Sequence, residues 1–268
     1  MTQNRSILTA IVLAGSRADH DSVAEATGVP CKALAPVGNI PMVFRVLNAL
    51  QNADTISSSV LCGPNWSIVE QSHQLRSRLD SQRIQWVAPQ TTPCTSTTFA
   101  MQSISQDTPI LITTADHALL TSEIVDYFCS HALSNDSDVV VGLVPFDIIQ
   151  KAYPKTKRTV MRFKGHGYCG CNLFAFLSPQ GRTIAEFWRQ VEQERKNPLR
   201  LIRTIGWMAV LRYLTGQLSL EQGLEEISKL LSLKISAVKL PFPQAAIDVD
   251  TVADWELVQE ILQNPTTQ

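Results

Sequence analysis

Short apolar runs recur along the first 145 residues, and stretches with helical spacing fill the gaps between them. Ser6 to Ala14, Ser58 to Leu61, Ile84 to Ala88, Ile110 to Thr114 and Val139 to Val144 read as strands bounded by turn signals. Pro41 to Asn52 sets Met42, Val43, Val46, Leu47 and Leu50 at helical spacing behind an opening proline. Val69 to Arg78, Thr95 to Ile104 and Ser122 to Leu133 read as further helices, the second opened by Ser/Thr capping chemistry. Strands that alternate with helices return in the same direction. The pattern therefore predicts an α/β fold with a mostly parallel central sheet and helices on both faces.

After Pro145 the pattern changes. Lys151 to Lys164 is basic and polar, Tyr168 to Leu177 is strand-like, and Ile184 to Glu194 is an amphipathic helix. Leu199 to Leu214 and Ser219 to Leu231 follow as helices, the latter with Ser219 and Gln222 at capping-box spacing. Ile235 to Leu240 returns to strand and Asp254 to Leu262 closes with a helix. There is no internal repeat, low-complexity tract or Gly/Ser linker. We expect a single domain over residues 1–268 with a helical insertion at about 184–232.

Composition narrows the class. Hydrophobic residues at 44% and charged residues at 18% are a globular balance, and a net charge of −1 offers no footprint for nucleic acid. No uncharged apolar run reaches the roughly 18 residues a membrane span needs, and Met1 to Ser6 is not a secretory signal. Six thinly spread cysteines argue for a reducing, cytoplasmic setting. Cys169-Gly170-Cys171 lacks zinc spacing and reads as buried or loop thiols.

Two acidic segments sit more than a hundred residues apart, each at the end of an apolar run: Pro109 to Asp116, and Ala245 to Thr251 with Asp248 and Asp250. Strand-end carboxylates facing one crevice can hold a hard divalent cation such as Mg²⁺ through oxygen. The alternative is helix capping, since a helical segment follows each. Near the N-terminus, Leu13-Ala14-Gly15-Ser16-Arg17 ends the first strand, and Lys32 follows. Gly15 lets backbone approach a ligand, successive amides form an anion nest, and Arg17 and Lys32 add cationic donors suited to a triphosphate. Taken alone, the glycine reads more readily as a plain tight turn.

Leu13-Ala14-Gly15-Ser16-Arg17, then Lys32, then Leu34 to Met42 resemble the signature of the MobA-like NTP-transferase superfamily. Ser96 opening a helix, Asp116 after the fourth strand and Asp248-Val249-Asp250-Thr251 before the last helix continue it in order, over roughly residues 7–262. The resemblance implies a Rossmann-like, glycosyltransferase-A-type fold. It also implies an enzyme that joins a nucleoside triphosphate, CTP or GTP rather than ATP, to a small phosphorylated acceptor with release of pyrophosphate. Carried over, Leu13, Ala14, Gly15 and Ser16 would hold the triphosphate, with Arg17 at the β and γ phosphates and Lys32 at the α phosphate. Ser96 would contact base or ribose. Asp116 and Asp250 would bind Mg²⁺, with Asp248 behind them or as an alternative ligand.

The basic cluster of Arg158, Arg162 and Lys164, with Asn172, is expected at the acceptor phosphate; a solvated charge run on a hairpin is the competing reading. Leu199 to Leu214 mixes Arg200, Arg203 and Arg212 with Trp207 and Tyr213 among aliphatics. That suits either burial or peripheral contact with a membrane carrying a lipid-phosphate acceptor. The alternatives in function are a glycosyltransferase using a nucleotide sugar and a non-catalytic nucleotide-binding protein. Oligomeric state, including a homo-oligomer, is left open.

Overall fold

The computed structural model describes residues 7–15, 20–80, 84–194 and 207–263. In chain order the elements are β1 (Leu8–Leu13), α1 (Ser22–Thr27), β2 (Pro36–Val37), β3 (Ile40–Pro41), α2 (Met42–Gln51) and β4 (Ile56–Cys62). They continue with α3 (Trp66–Gln71), α4 (His73–Leu79), β5 (Ile84–Val87), α5 (Pro93–Met101), β6 (Ile110–Thr114), α6 (Ser122–Leu133) and β7 (Val139–Pro145). The chain then forms α7 (Phe146–Ala152), β8 (Met161–Phe163), β9 (His166–Phe176), α8 (Ile184–Glu194), α9 (Trp207–Leu214), α10 (Leu220–Leu231), β10 (Ile235–Lys239) and α11 (Val252–Gln263).

The main sheet runs β10-β7-β9-β6-β1-β4-β5, with β8 paired to β9. Its neighbours are parallel except around β9, which lies antiparallel to β6, β7 and β8. The expected mostly parallel α/β sheet is therefore present, with one long reversed strand at its centre. Hydrophobic periodicity does not carry strand direction, which is why the sequence left β9 unoriented.

Side chains alternate across the sheet. Leu8, Ala10 and Val12 of β1 enter a core with Val43, Val46, Leu47 and Leu50 of α2 and Ile124, Val125 and Phe128 of α6. Ile11 enters the opposite core with Ala100 and Met101 of α5, Ile110 and Ile112 of β6, and Ala185 of α8. Burial on both faces is what near-continuous apolar strands require.

Several elements differ from the sequence reading: α1, β2, β3 and β8 are additional, and the apolar run before Asp250 is a 3₁₀ turn over Pro243–Ala246 rather than a strand. The stretch 69–78 is two helices rather than one, because the Ser72 hydroxyl accepts from Leu75 N and starts α4 afresh. A helix, α7, stands between Pro145 and most of the basic stretch and is too short to show a repeat. Of the helix expected over 199–214, residues 207–214 are helical and 199–206 lie outside the described residues, with Arg200 and Arg203. Leu211, Tyr213 and Leu214 on it are exposed. No helix among the described residues is long and apolar enough to cross a membrane.

Candidate active site

Hydrogen bonds between strand ends bring distant segments to one crevice at the C-terminal edge of the parallel strands. Ala14 N donates to Cys62 O at 2.8 Å, and Ala115 N donates to Leu13 O at 2.9 Å, so the ends of β1, β4 and β6 are tied together. Val249 N donates to Asp116 O at 3.1 Å, which pins the segment before α11 onto the end of β6. The resulting cleft holds about 380 Å³, within the range of small-ligand sites. Its walls include Leu13, Ala14, Gly15, Lys32, Thr114, Asp116, Asn172, Asp248 and Asp250.

Gly15 is backed by a second glycine. Gly63, at φ +90°, lies so close that a Cβ there would meet Gly15 N at 2.9 Å and Ala14 O at 3.0 Å. Only glycine combines that backbone angle with that approach. Ser16 and Arg17 lie outside the described residues.

Lys32 opens a single 3₁₀ turn, Lys32–Leu34, and reaches across the cleft. Its Nζ donates to Asp116 Oδ2 at 2.7 Å and to Asp250 Oδ1 at 3.2 Å. Burial opposes its charge, but the two carboxylates outweigh burial and hold its pKa above the ordinary lysine value. Neither aspartate caps a helix. The Thr121 hydroxyl accepts from Ile124 N at the start of α6, and Thr251 and Asp254 bond reciprocally at the start of α11. The capping alternative is thereby excluded, and both carboxylates face the cleft.

The chemistry of these donors fits a hard cation beside a phosphate. Asp116 Oδ1 and Thr114 Oγ1 are buried without a hydrogen-bond partner. Among the described residues no three His, Cys, Asp or Glu converge into a protein-only cage. A pair of carboxylates that leaves the other positions to phosphate and water is the arrangement Mg²⁺ favours.

Asp248 is engaged elsewhere. Arg158, with its side chain 10% exposed, donates to Asp248 Oδ1 at 2.5 Å, Asp248 O at 3.1 Å and Asp254 Oδ1 at 3.1 Å. Asn172 Nδ2 donates to the other Asp248 oxygen at 3.0 Å. Burial raises the Asp248 pKa, Arg158 and Asn172 oppose that, and Asp116 and Asp250 add to it. Asp248 thus lines the cleft with both carboxylate oxygens taken by donors, and Arg158 braces the loop from its buried side. Asn172 sits at φ +50° in the irregular stretch of β9 opposite Val141 to Leu143, which turns its side chain to the cleft.

The other expected contacts fall elsewhere. Arg162 and Lys164 are exposed on the β8–β9 hairpin, and neither lines this cleft; Arg162 borders a separate surface basin with His166 and Tyr213. Ser96 is buried, with its hydroxyl accepting from Gln90 N at 2.8 Å, so it fastens the loop before α5. Thr114 and Gly63 are not among the residues the sequence singles out, although Gly63 lies in a recognisable Cys62-Gly63-Pro64 turn. His117, 1% exposed, is buried beside Asp116, and burial lowers its pKa to about 4 against the opposing pull of Asp116 and the Ala245 backbone. It is a neutral core residue. The described cysteines are all free and buried, and burial raises the Cys62 thiol to about 11 and pushes Cys169 and Cys171 upward.

A glycine turn, a lysine and two carboxylates, one following β6 and one just ahead of α11, surround one cleft of this α/β protein and suit phosphate chemistry. A sequence model of the MobA-like NTP transferase domain matches residues 10–158. The chain belongs to that family and is a nucleotidyltransferase. Among solved structures, a hypothetical transferase from Thermus thermophilus is 29% identical, with a TM-score of 0.76 over 93% of this chain and 99% of that one. CMP:2-keto-3-deoxy-manno-octonic acid synthetase complexed with CTP (11% identity, TM-score 0.58, 96% and 99% covered) shares the fold. So does 4-diphosphocytidyl-2C-methyl-D-erythritol synthase from Anaerococcus prevotii (14% identity, TM-score 0.57, 97% and 100% covered). No curated protein matches the sequence.

Proposed function

We propose that the cleft binds a nucleoside triphosphate with Mg²⁺ and transfers its nucleotidyl group to a small phosphorylated acceptor, releasing pyrophosphate. The observation that carries this reading is Lys32 Nζ lying between Asp116 and Asp250 beside the Gly15 turn. Backbone at Leu13 to Gly15 accommodates the triphosphate, and Lys32 faces the α phosphate. Asp116 and Asp250 hold Mg²⁺, which when bound neutralises charge on the phosphates. An acceptor phosphate oxygen attacks the α phosphorus in line. The bond from that phosphorus to the bridging oxygen breaks, and pyrophosphate leaves with the electron pair. The acceptor is already an anion, so no general base is required. Positioning and electrostatics carry the acceleration.

CTP and GTP head the donors on family resemblance, and the CTP held by one structural neighbour puts CTP first in a screen. A sugar-transfer reading calls for a second carboxylate two residues after Asp116, where buried Ala118 stands. The test is thermal unfolding with CTP, GTP, ATP and UTP, with and without Mg²⁺. A ligand at a hundredfold excess over Kd adds about 2.7 kcal/mol, and the expected result is a Mg²⁺-dependent shift with one nucleotide. Pyrophosphate release on adding phosphorylated acceptors then follows. We expect Asp116→Ala to abolish release while unfolding as cooperatively as wild type. Full activity in that variant removes the metal assignment.

A further inference from the structure

We infer that Lys32 gates cation entry: its ammonium and a divalent cation compete for the same two carboxylates, so the cation binds with the nucleotide rather than ahead of it. The inference rests on the metal and nucleotide reading above and adds an order of assembly to it. Distances of 2.7 and 3.2 Å from Nζ to Asp116 and Asp250 are direct charge-assisted hydrogen bonds. They leave no space for an ion between ammonium and oxygen. The Lys32 and Asp116 side chains are only 23% and 16% exposed, so solvent screens this contact less than a surface pair.

Charge counting points the same way. Two aspartates alone present −2 to a cation, but with Lys32 between them they present −1. Asp248, which also lines the cleft, has its two oxygens taken by Arg158 and Asn172. No third His, Cys, Asp or Glu joins the pair among the described residues, so a lone cation has little to gain by displacing the lysine. A triphosphate reverses the balance. Its oxygens attract the ammonium away from the carboxylates and supply the ligands the protein lacks. Because the coupling is reciprocal, the cation and the nucleotide each tighten the other through one side chain.

The probe is Mn²⁺, titrated into the full chain and followed as free ion by electron paramagnetic resonance. Lys32→Met keeps an unbranched side chain one atom shorter and removes its charge; Lys32→Gln serves if the methionine variant unfolds without cooperativity. Without nucleotide, we expect the variant to bind Mn²⁺ at least tenfold more tightly than wild type. With CTP, GTP, ATP or UTP added in turn, the binding nucleotide should tighten Mn²⁺ more in wild type than in the variant. Equal nucleotide-free affinity in wild type and variant, with binding lost in Asp116→Asn, overturns the gate and leaves the metal reading standing. No Mn²⁺ binding in any of these proteins with any nucleotide overturns both.

Discussion

Arg158 and Asp248 show how a charged pair can brace this site from within. The guanidinium is nearly buried and bridges Asp248, the Asp248 carbonyl and Asp254. Removing one partner of such a pair strands the other, so Arg158→Leu should lose about 3–5 kcal/mol of stability, measured by urea unfolding. Arg182 is a comparable case away from the cleft. It donates to the carbonyls of Ile104, Ser105 and Thr108 in the connection between α5 and β6. Arg182→Met leaves these acceptors unsatisfied and should cost on the order of 3 kcal/mol in the same measurement. His117 makes a pH prediction. Its folded pKa of about 4 lies below the ordinary 6.5, so between those values the unfolded chain takes up a proton that the fold refuses. Its contribution to stability therefore falls as pH drops through that window, by on the order of 3 kcal/mol in full. Comparing unfolding of wild type and His117→Leu at pH 7 and pH 4.5 should show a flatter acid response in the variant.

At the level of elements, the cleft depends on loops held by other loops. Gly63 follows β4 and touches Ala14 and Gly15 after β1, so a methyl group there presses on the proposed phosphate turn. Gly63→Ala should raise the nucleotide KM about tenfold or more while leaving the two cores packed, read from steady-state kinetics beside a thermal melt. Elements with strong local signals were legible from the sequence: β6 and α6 run over Ile110–Thr114 and Ser122–Leu133 as expected, and Ser219 with Gln222 forms a capping box. Short helices were less so. α1 has six residues, too few for a periodic pattern, and only Asp21, whose carboxylate accepts from Val23 N and Ala24 N, marks its start. The bond between Arg158 and Asp248 spans 90 residues, and no local pattern announces a contact of that kind.

Across the whole molecule, the order of patches along the chain pointed to one cleft for Lys32, Asp116 and Asp250, although only Asp116 follows a parallel strand; Lys32 comes from a 3₁₀ turn and Asp250 from the segment ahead of α11. The hairpin residues Arg162 and Lys164 were harder to place, since their position depends on how β8 folds back on β9. That reversal has a wider effect. β9 lies between β6 and β7, so the family-matched segment 10–158 leaves both strands without the neighbour that joins them. A chain cut after residue 158 should show no cooperative melting transition, because unpaired strand edges replace the centre of the sheet.

The same placement of β9 sets a timetable for synthesis. Asp116 leaves the ribosome more than a hundred residues before Asp250, and the strand that joins the two halves of the sheet is made in the interval. The two carboxylates meet only when almost the whole chain has emerged. A stalled or C-terminally clipped product therefore lacks the second carboxylate, and under the proposed mechanism should consume no nucleotide while it waits to be completed or destroyed.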